Sequence, residues 1–498
     1  MSHERHEAGE ALAFDDVLLL PQASDVLPSD TNTSSHFSRH IPLHVPLVSA
    51  AMDTVTESAM AIAMAREGGI GVIHKNLSIE RHVEEVRRVK KYESGIVVDP
   101  LTIHPDQSLE EALSLQRQHN ISGIPVVSRD KGTLVGILTN RDMRFVDNPK
   151  TQVKDVMTTS NLVTAKRDIS SEQAMHLLHK HRIEKLLVVD SDYRCVGLIT
   201  VKDIEKSAAF PYASKDSTGR LCVAAAVGVR GDYMERARQL VAAAVDALVI
   251  DSAHGHSHYV VEAARSLRQC YKDVDIVAGN VVTPQAARAL IAVGVDGVKL
   301  GIGPGSICTT RIMAGVGLPQ LTAILETAPL CRQHAIPLIA DGGVRHSGDI
   351  AKALAAGADS VMVGSLFAGT KESPGETFLY QGRHYKVYRG MGSMAAMKEG
   401  GGERYFQGDA PYGQESYEKK WIPEGVEGQV PLRGTLRDVV YQMVGGLKTA
   451  MGYVGAATLS RLRERAVFRR MSRAGFQEGH VHDVTVVREA PNYPTRSS

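Results

Sequence analysis

Residues 301–310, GIGPGSICTT, hold one cysteine in a loop with three glycines and two threonines. Glycine lacks a Cβ, so Gly301, Gly303 and Gly305 let backbone approach a bound group closely. Ser306, Thr309 and Thr310 bring hydroxyls, and Arg311 brings charge. Two kinds of chemistry suit the pattern. One is a loop closed around a phosphate. The other is a presented cysteine, a nucleophile once ionised; its ordinary pKa is about 8.5, and N–H groups or a nearby cation favour the thiolate. On residue types alone, Cys308 is either that nucleophile or a small filler of a turn. GIGPG also looks like a dinucleotide glycine loop. It lacks the G-x-G-x-x-G spacing and the early βαβ position, which argues against that reading.

A scaffold must aim these residues. Eight short apolar runs recur: 46–53, 69–74, 221–228, 247–253, 275–280, 297–302, 337–343 and 360–365. They are near-continuous in Val, Ile and Ala, which predicts parallel strands buried on both faces. Amphipathic stretches such as YMERARQLVAAAV and TPQAARALIAVG lie between most of them. Thr283-Pro284 and Ser347 have the residue types of helix N-caps. Eight such units predict a (β/α)₈ TIM barrel, with an open doubly wound sheet as the alternative. In a barrel the active face is at the C-terminal strand ends. Ser49, Asp251, Asn280, Asp341 and Ser365 stand there.

The second and third runs are separated by a long interval that contains a repeat. SLEEAL (108–113) matches SSEQAM (170–175), and ISGIPVV (121–127) matches IEKLLVV (183–189), both at an offset of 62; GILTNRD (136–142) matches GLITVKD (197–203) at 61. Units this short pack on each other, because neither buries its apolar face alone. The expected organisation is a barrel begun by residues 1–94, an inserted two-repeat module over 95–207 (copies at about 95–152 and 153–207), and a barrel completed by 208–498. The module resembles a tandem CBS pair, a Bateman module. That resemblance implies a purine nucleotide, ATP or GTP, held through Thr139 with Asp142 and Thr200 with Asp203. The alternative is that the two aspartates only cap helices.

Lys plus Arg total 57 and Asp plus Glu total 56, so the charge gives no reason to expect a nucleic-acid or membrane partner. Five scattered cysteines without a C-x-x-C pair fit neither a disulfide framework nor a zinc site. The polar start MSHERHEAGE is not a signal peptide, and no apolar run approaches the ~18 residues of a membrane span. A cytoplasmic protein is expected.

Over nearly its whole length the chain resembles the IMP dehydrogenase family. The matching stretches are SAAMDTVTE (49–57), DSAHGHS (251–257), GIGPGSICTTR (301–311), ADGGVRHSGDIAKALAAGA (340–358), VMVGS (361–365), YRGMGSM (388–394), ERYFQ (403–407) and PEGVEG (423–428). The resemblance implies that Cys308 attacks C2 of IMP, that hydride passes from C2 to NAD, and that water hydrolyses the resulting thioimidate to XMP. This would be the rate-limiting step of de novo guanine nucleotide synthesis. It further implies IMP contacts from Ser306, Asp341, Gly342, Gly343, Gly364, Ser365, Tyr388, Arg389, Gly390, Met391, Gly392 and Glu424. Asp251, Ser252, Asn280, Gly301, Ile302 and Gly303 fall on the NAD side. Arg404 and Tyr405 correspond to a mobile flap, about 391–422, that enters the vacated NAD site and activates the water. A relay through Thr310 and Glu424 is a second route for that proton.

The resemblance also implies a potassium ion held by carbonyls of Gly303, Gly305 and Cys308, completed by Glu478, Gly479 and His480 of a neighbouring subunit, hence a homotetramer. Octamers through the repeat module stay open. GMP reductase is the nearest rival activity, and a purine sensor with an inactive barrel is a rival of another class. The Arg404-Tyr405 pair separates the first rival, because a reductase needs no hydrolytic water.

Overall fold

The computed structural model describes residues 9–92, 97–98, 100–119, 121–146, 148–166, 169–201, 204, 209–407 and 421–493. The chain forms two compact units: Met1–Lys90 with Tyr212–Ser214 and Leu221–Ser498, and Lys91–Pro211 with Lys215–Arg220.

The larger unit is a closed barrel of eight parallel strands. In chain order they are β1 Leu47–Ser49, β2 Ile70–Ile73, β3 Ala224–Val227, β4 Ala247–Asp251, β5 Asp275–Val281, β6 Gly297–Leu300, β7 Leu338–Asp341 and β8 Ser360–Val363. Each pairs with its sequence neighbour; β8 returns to β1 through Val361↔Leu47, and β2 closes on β3 through Val72↔Ala224. All eight apolar runs are strands. Their continuous Val, Ile and Ala content follows from burial by side chains inside and helices outside. The helix His258–Cys270 covers the barrel with Val260, Ala263, Ala264 and Leu267, a spacing that lines one helical face.

Thr283 caps its helix, accepting from the Ala286 N–H at 3.3 Å with Pro284 in the first turn. The helix expected to be capped by Ser347 has His346 as its N-cap instead. Asp349 sets that boundary. Its carboxylate reaches back to the Arg345 and His346 N–H groups at 3.0 and 3.2 Å, so Ser347 is already helical.

Three additions dress the barrel. The strand Val17–Leu19 pairs antiparallel with Phe468–Arg470, joining the two ends of the unit. After β8, Thr377–Tyr380, Arg383–Arg389 and Glu427–Pro431 form an antiparallel sheet. That sheet brackets the flap segment. Its near half is more ordered than a mobile loop: Met394–Lys398 is helical, Gly401–Tyr405 is a 3₁₀ turn, and Ala396, Met397, Gly401 and Gly402 are buried. Gln407 and Ile422 exchange two hydrogen bonds, 2.9 and 3.0 Å, across the ends of the segment between them.

The smaller unit, somewhat wider than 95–207, carries the repeat as structure. Helix Leu109–His119, hairpin Gly123–Val127 with Leu134–Thr139, answers helix Ser171–His181, hairpin Lys185–Val189 with Cys195–Thr200. Both hairpins carry a bulge at the same place, between Val126 and Val127 and between Val188 and Val189. Each copy has its own core, around Ile124 and Leu138 in one and Leu186 and Ile199 in the other. A third cluster joins Leu134 and Ile137 of the first copy to Leu187, Val189 and Leu198 of the second. Among the described residues no helix is long and apolar enough to cross a membrane.

The shared cluster makes a specific prediction. Leu187 is 2% exposed, and Leu187→Ala should cost about 2–4 kcal/mol within that unit. Native-state hydrogen exchange should show protection lost at 123–127 and 185–189 and retained at 338–341. Unchanged protection in both hairpins would refute the role of the cluster.

Candidate active site

Four consecutive strands put charge at the barrel's active end. Lys299, in the middle of β6, is 1% exposed. Its ammonium donates to Asp251 Oδ1 at 2.8 Å, to Asp341 Oδ2 at 3.0 Å and to Asn280 Oδ1. Asn280 Nδ2 donates in turn to Asp341 Oδ2 at 2.9 Å and to the Gly301 carbonyl at 2.7 Å. Asp341 Oδ2 is thus engaged twice, while its Oδ1 accepts nothing among the described residues. A carboxylate held by one oxygen, with the other open, suits a diol.

The floor opens into a cavity of about 320 Å³ that gathers Asp251, Asn280, Cys308, Asp341, Tyr388 and Arg404. Cys308 follows a tight turn, its N–H donating to the Gly305 carbonyl at 3.1 Å. Its Sγ lies 3.2 Å from Thr310 Oγ1. The loop is tied to the root of the flap: Thr309 N–H to the Glu424 carbonyl at 2.9 Å, Val426 N–H to the Ile307 carbonyl at 3.1 Å. Arg311 turns away from the cysteine and donates to the Ile302 carbonyl at 3.0 Å, with burial lowering its pKa.

The opposite wall is glycine-rich. Gly342 and Gly343 hold φ of +90° and +83°, conformations that L side chains rarely adopt. With Gly364 and Ser365 they present backbone to the cavity, and Ser365 opens the short helix Ser365–Ala368. Burial pushes the Tyr388 phenol up to about 12, so it is a neutral donor; a Cβ on Gly364 would come within 2.9 Å of its oxygen.

The flap residues close the remaining side. Arg404 Nη1 pairs with Asp251 Oδ2, and the Arg404 carbonyl accepts from Ala253 N–H at 3.1 Å. Tyr405 lines the same cavity, and burial raises its pKa. Gly392 makes room for that ring: a Cβ there would stand 2.7 Å from it.

The expected residues sort accordingly. Ser306, Gly390, Met391, Glu424, Gly301 and Gly303 line the cavity with those above. Arg389 and Gly392 are not among its lining residues. Arg389 pairs with Asp53 at 2.7 Å and with Glu399. Ser252 and Ile302 also lie off the cavity; Ser252 Oγ accepts from His254 N–H at 3.2 Å. Thr310 reaches the site only through Cys308. Glu478, Gly479 and His480 are not brought to the cysteine loop of their own chain; His480 contacts Tyr493 at 2.9 Å and stacks edge-on with Phe476. In the smaller unit Asp142 caps its helix, accepting from the Thr139 N–H and hydroxyl at 2.7 Å, and its other oxygen accepts from Thr158 at 3.0 Å. Thr200 ends the matching strand, and Asp203 lies outside the described residues.

Several residues of the site escaped the sequence reading. Lys299 is one. Gln320, 2% exposed, donates to the Leu300 and Asp341 carbonyls at 3.0 and 3.1 Å. Met52 receives the Tyr388 hydroxyl at 3.8 Å on sulfur. A lysine inside an apolar strand was the one available signal.

With the geometry in hand, comparison with known proteins adds a family. The IMP dehydrogenase / GMP reductase domain model matches residues 11–482. An inosine-5'-monophosphate dehydrogenase of Aquifex aeolicus is 53% identical over 97% of this chain and 98% of its own. One from Rhizobium tropici is 54% identical over 98% and 97%. A crystal structure of a Cys-to-Ala variant of GMP reductase from Trypanosoma brucei, in complex with guanosine 5'-monophosphate, superposes with a TM-score of 0.86 at 39% identity, covering 96% of this chain and 99% of that one. A sulfur at the mouth of a closed barrel, a half-open carboxylate and an arginine pair with Asp251 thus belong to a recognised line of enzymes: the chain is a member of the IMP dehydrogenase / GMP reductase family.

Proposed function

We propose that this protein is an IMP dehydrogenase, oxidising IMP to XMP with NAD in the cytoplasm, at the rate-limiting step of de novo guanine nucleotide synthesis. The observation that carries the reading is the convergence on one cavity of Cys308, the open oxygen of Asp341 and the Arg404–Asp251 pair. Asp341 accepts from the ribose diol. Backbone N–H groups at Gly343, Gly364 and Ser365 take the phosphate, with Ser306 beside them. Glu424, Tyr388, Gly390 and Met391 hold the purine.

Cys308, as thiolate, adds to C2 of IMP, and the C2 hydrogen leaves as hydride. NAD accepts that hydride. Thr310, 3.2 Å from the sulfur, orients it. Arg404 must first leave the room beside the cysteine, where Asp251 and Asn280 then serve the dinucleotide. On its return, Arg404 with Tyr405 receives a proton from the attacking water. Water oxygen bonds to C2, the C–S bond breaks, and XMP departs. Arg404 is an awkward base because a guanidinium gives up its proton reluctantly. Thr310 with Glu424 offers the second route.

A potassium ion fits the cysteine loop. The carbonyls of Gly303 and Cys308 receive no hydrogen bond among the described residues, and that of Gly305 receives one. They would hold the ion with Glu478, Gly479 and His480 of a neighbouring subunit, which favours a homotetramer. The smaller unit fits a tandem CBS module for a purine nucleotide, with Thr158 first yielding its bond to Asp142. GMP reduction is the second reading, favoured by the Trypanosoma brucei likeness, which spans both units. The Arg404–Tyr405 pair favours the dehydrogenase.

Mixing enzyme, IMP and NAD should release NADH, and Cys308→Ala should abolish it; consumption of NADPH with GMP instead would overturn the assignment. Arg404→Ala should keep a burst of NADH but slow later turnovers by about 10²-fold, with the covalent adduct visible by mass spectrometry. A lost burst without adduct would refute the role of Arg404. Lys299→Met leaves the half-buried Asp341 carboxylate without its cation and Asp251 with Arg404 alone, and should cost about 3–5 kcal/mol of stability. Denaturant titration would register this as a lower midpoint at unchanged slope, and the KM for IMP should rise as Asp341 loses its hold.

A further inference from the structure

Glu403 precedes Arg404, lies off the cavity, and has no part in the chemistry above. Its side chain is nevertheless seated as if it were a ligand. Oε1 accepts from two successive backbone N–H groups, Val229 at 3.0 Å and Arg230 at 3.1 Å, in the turn that follows β3. Oε2 pairs with the Lys75 ammonium, two residues beyond the end of β2, and the two side chains are 10% and 26% exposed. A Cβ on Gly228 would collide with this carboxylate, so the seat exists only because residue 228 is glycine. Successive backbone N–H groups beside a lysine make an anion seat, and the protein fills it with its own flap.

The neighbouring residue is anchored elsewhere. Arg404 holds Asp251 at the end of β4 and, through its carbonyl, the Ala253 N–H. In a 3₁₀ turn successive side chains diverge by about 120°. One anchor would leave the Gly401–Tyr405 turn free to swivel about its axis. Two anchors on different barrel loops fix its rotation. We infer that Glu403, Lys75 and Gly228 are positioning residues that register Arg404 for attack by water. The inference rests on the proposed role of Arg404, and it predicts that the seat serves the second half-reaction only. When the flap withdraws, Lys75 and the two N–H groups lose their acceptor, which favours its return.

The test compares Glu403→Gln, Lys75→Met and Gly228→Ala with Arg404→Ala in the full-length enzyme. Stopped flow reads the NADH burst after mixing with IMP and NAD. Mass spectrometry of the intact protein reads the fraction held as covalent adduct during turnover. Glu403→Gln keeps size and shape, so folding is not at stake. The three seat variants should keep the burst rate within about twofold and lose about 10- to 100-fold in steady-state turnover, as misplaced groups do. Adduct should accumulate, Lys75→Arg should recover part of the loss, and Glu403→Gln should add nothing to Arg404→Ala. Wild-type turnover in all three seat variants would overturn the inference, and so would equal loss of burst and turnover. If Arg404→Ala itself holds no adduct, the proposed role of Arg404 fails, whatever the seat variants do.

Discussion

A lysine ammonium with 1% exposure has no water to solvate it. Desolvating such a charge costs several kcal/mol, and only close, well-directed partners offset that. Asp251, Asn280 and Asp341 provide them from β4, β5 and β7; β5 and β7 flank β6, which carries Lys299, and β4 lies one strand beyond β5. Their meeting depends on register. Asp251 pairs with Gly279, Gly279 with Lys299, and Lys299 with Ile339, two residues short of Asp341. A slip of one residue turns a side chain to the other side of the sheet, which would send Lys299 out among the helices. Gly279 is part of the same constraint, since a Cβ there would stand 2.7 Å from that of Lys299. The barrel closes around a charge it must satisfy.

Asp251 is shared between Lys299 and Arg404. With the flap seated, two cations face two carboxylates, Asp251 and Asp341. With Arg404 withdrawn, the same group carries one excess negative charge in a place of low dielectric. On the proposed reading, that state prefers a cation, and oxidised nicotinamide is one. Hydride transfer removes its positive charge and with it the preference, so the site again favours Arg404.

The strands were legible because burial on both faces leaves a run of apolar residues with no alternation to misread. The repeat was legible because its offset survives in structure: the drop from 62 to 61 falls in the turns 128–133 and 190–194, one residue shorter in the second copy. What stayed hidden had physical causes. Tyr388 and Arg389 are adjacent in a matching motif but consecutive in a strand, so they point to opposite faces; one enters the cavity and the other meets Asp53. Gly392 serves Tyr405 by leaving room for it, a contact 13 residues away that no motif expresses. Lys299 was passed over because a single lysine interrupts an apolar run too briefly to change its reading. The flap looked like a loop because Gly and polar residues dominate it, and its order comes from partners on distant barrel loops.

The cysteine loop and the flap root are one piece. Ile307 and Thr309 bond to Val426 and Glu424, and the Glu424 N–H donates to the Gly392 carbonyl at 3.0 Å. The ends of the flap are therefore tied to the loop that holds the sulfur. On the proposed reading, Arg404 changes place while Cys308 does not. On that reading, a reaction in two halves, one needing a dinucleotide beside the sulfur and the other needing water there, requires this division: a stationary nucleophile, and a cation that exchanges with the second substrate against the same aspartate.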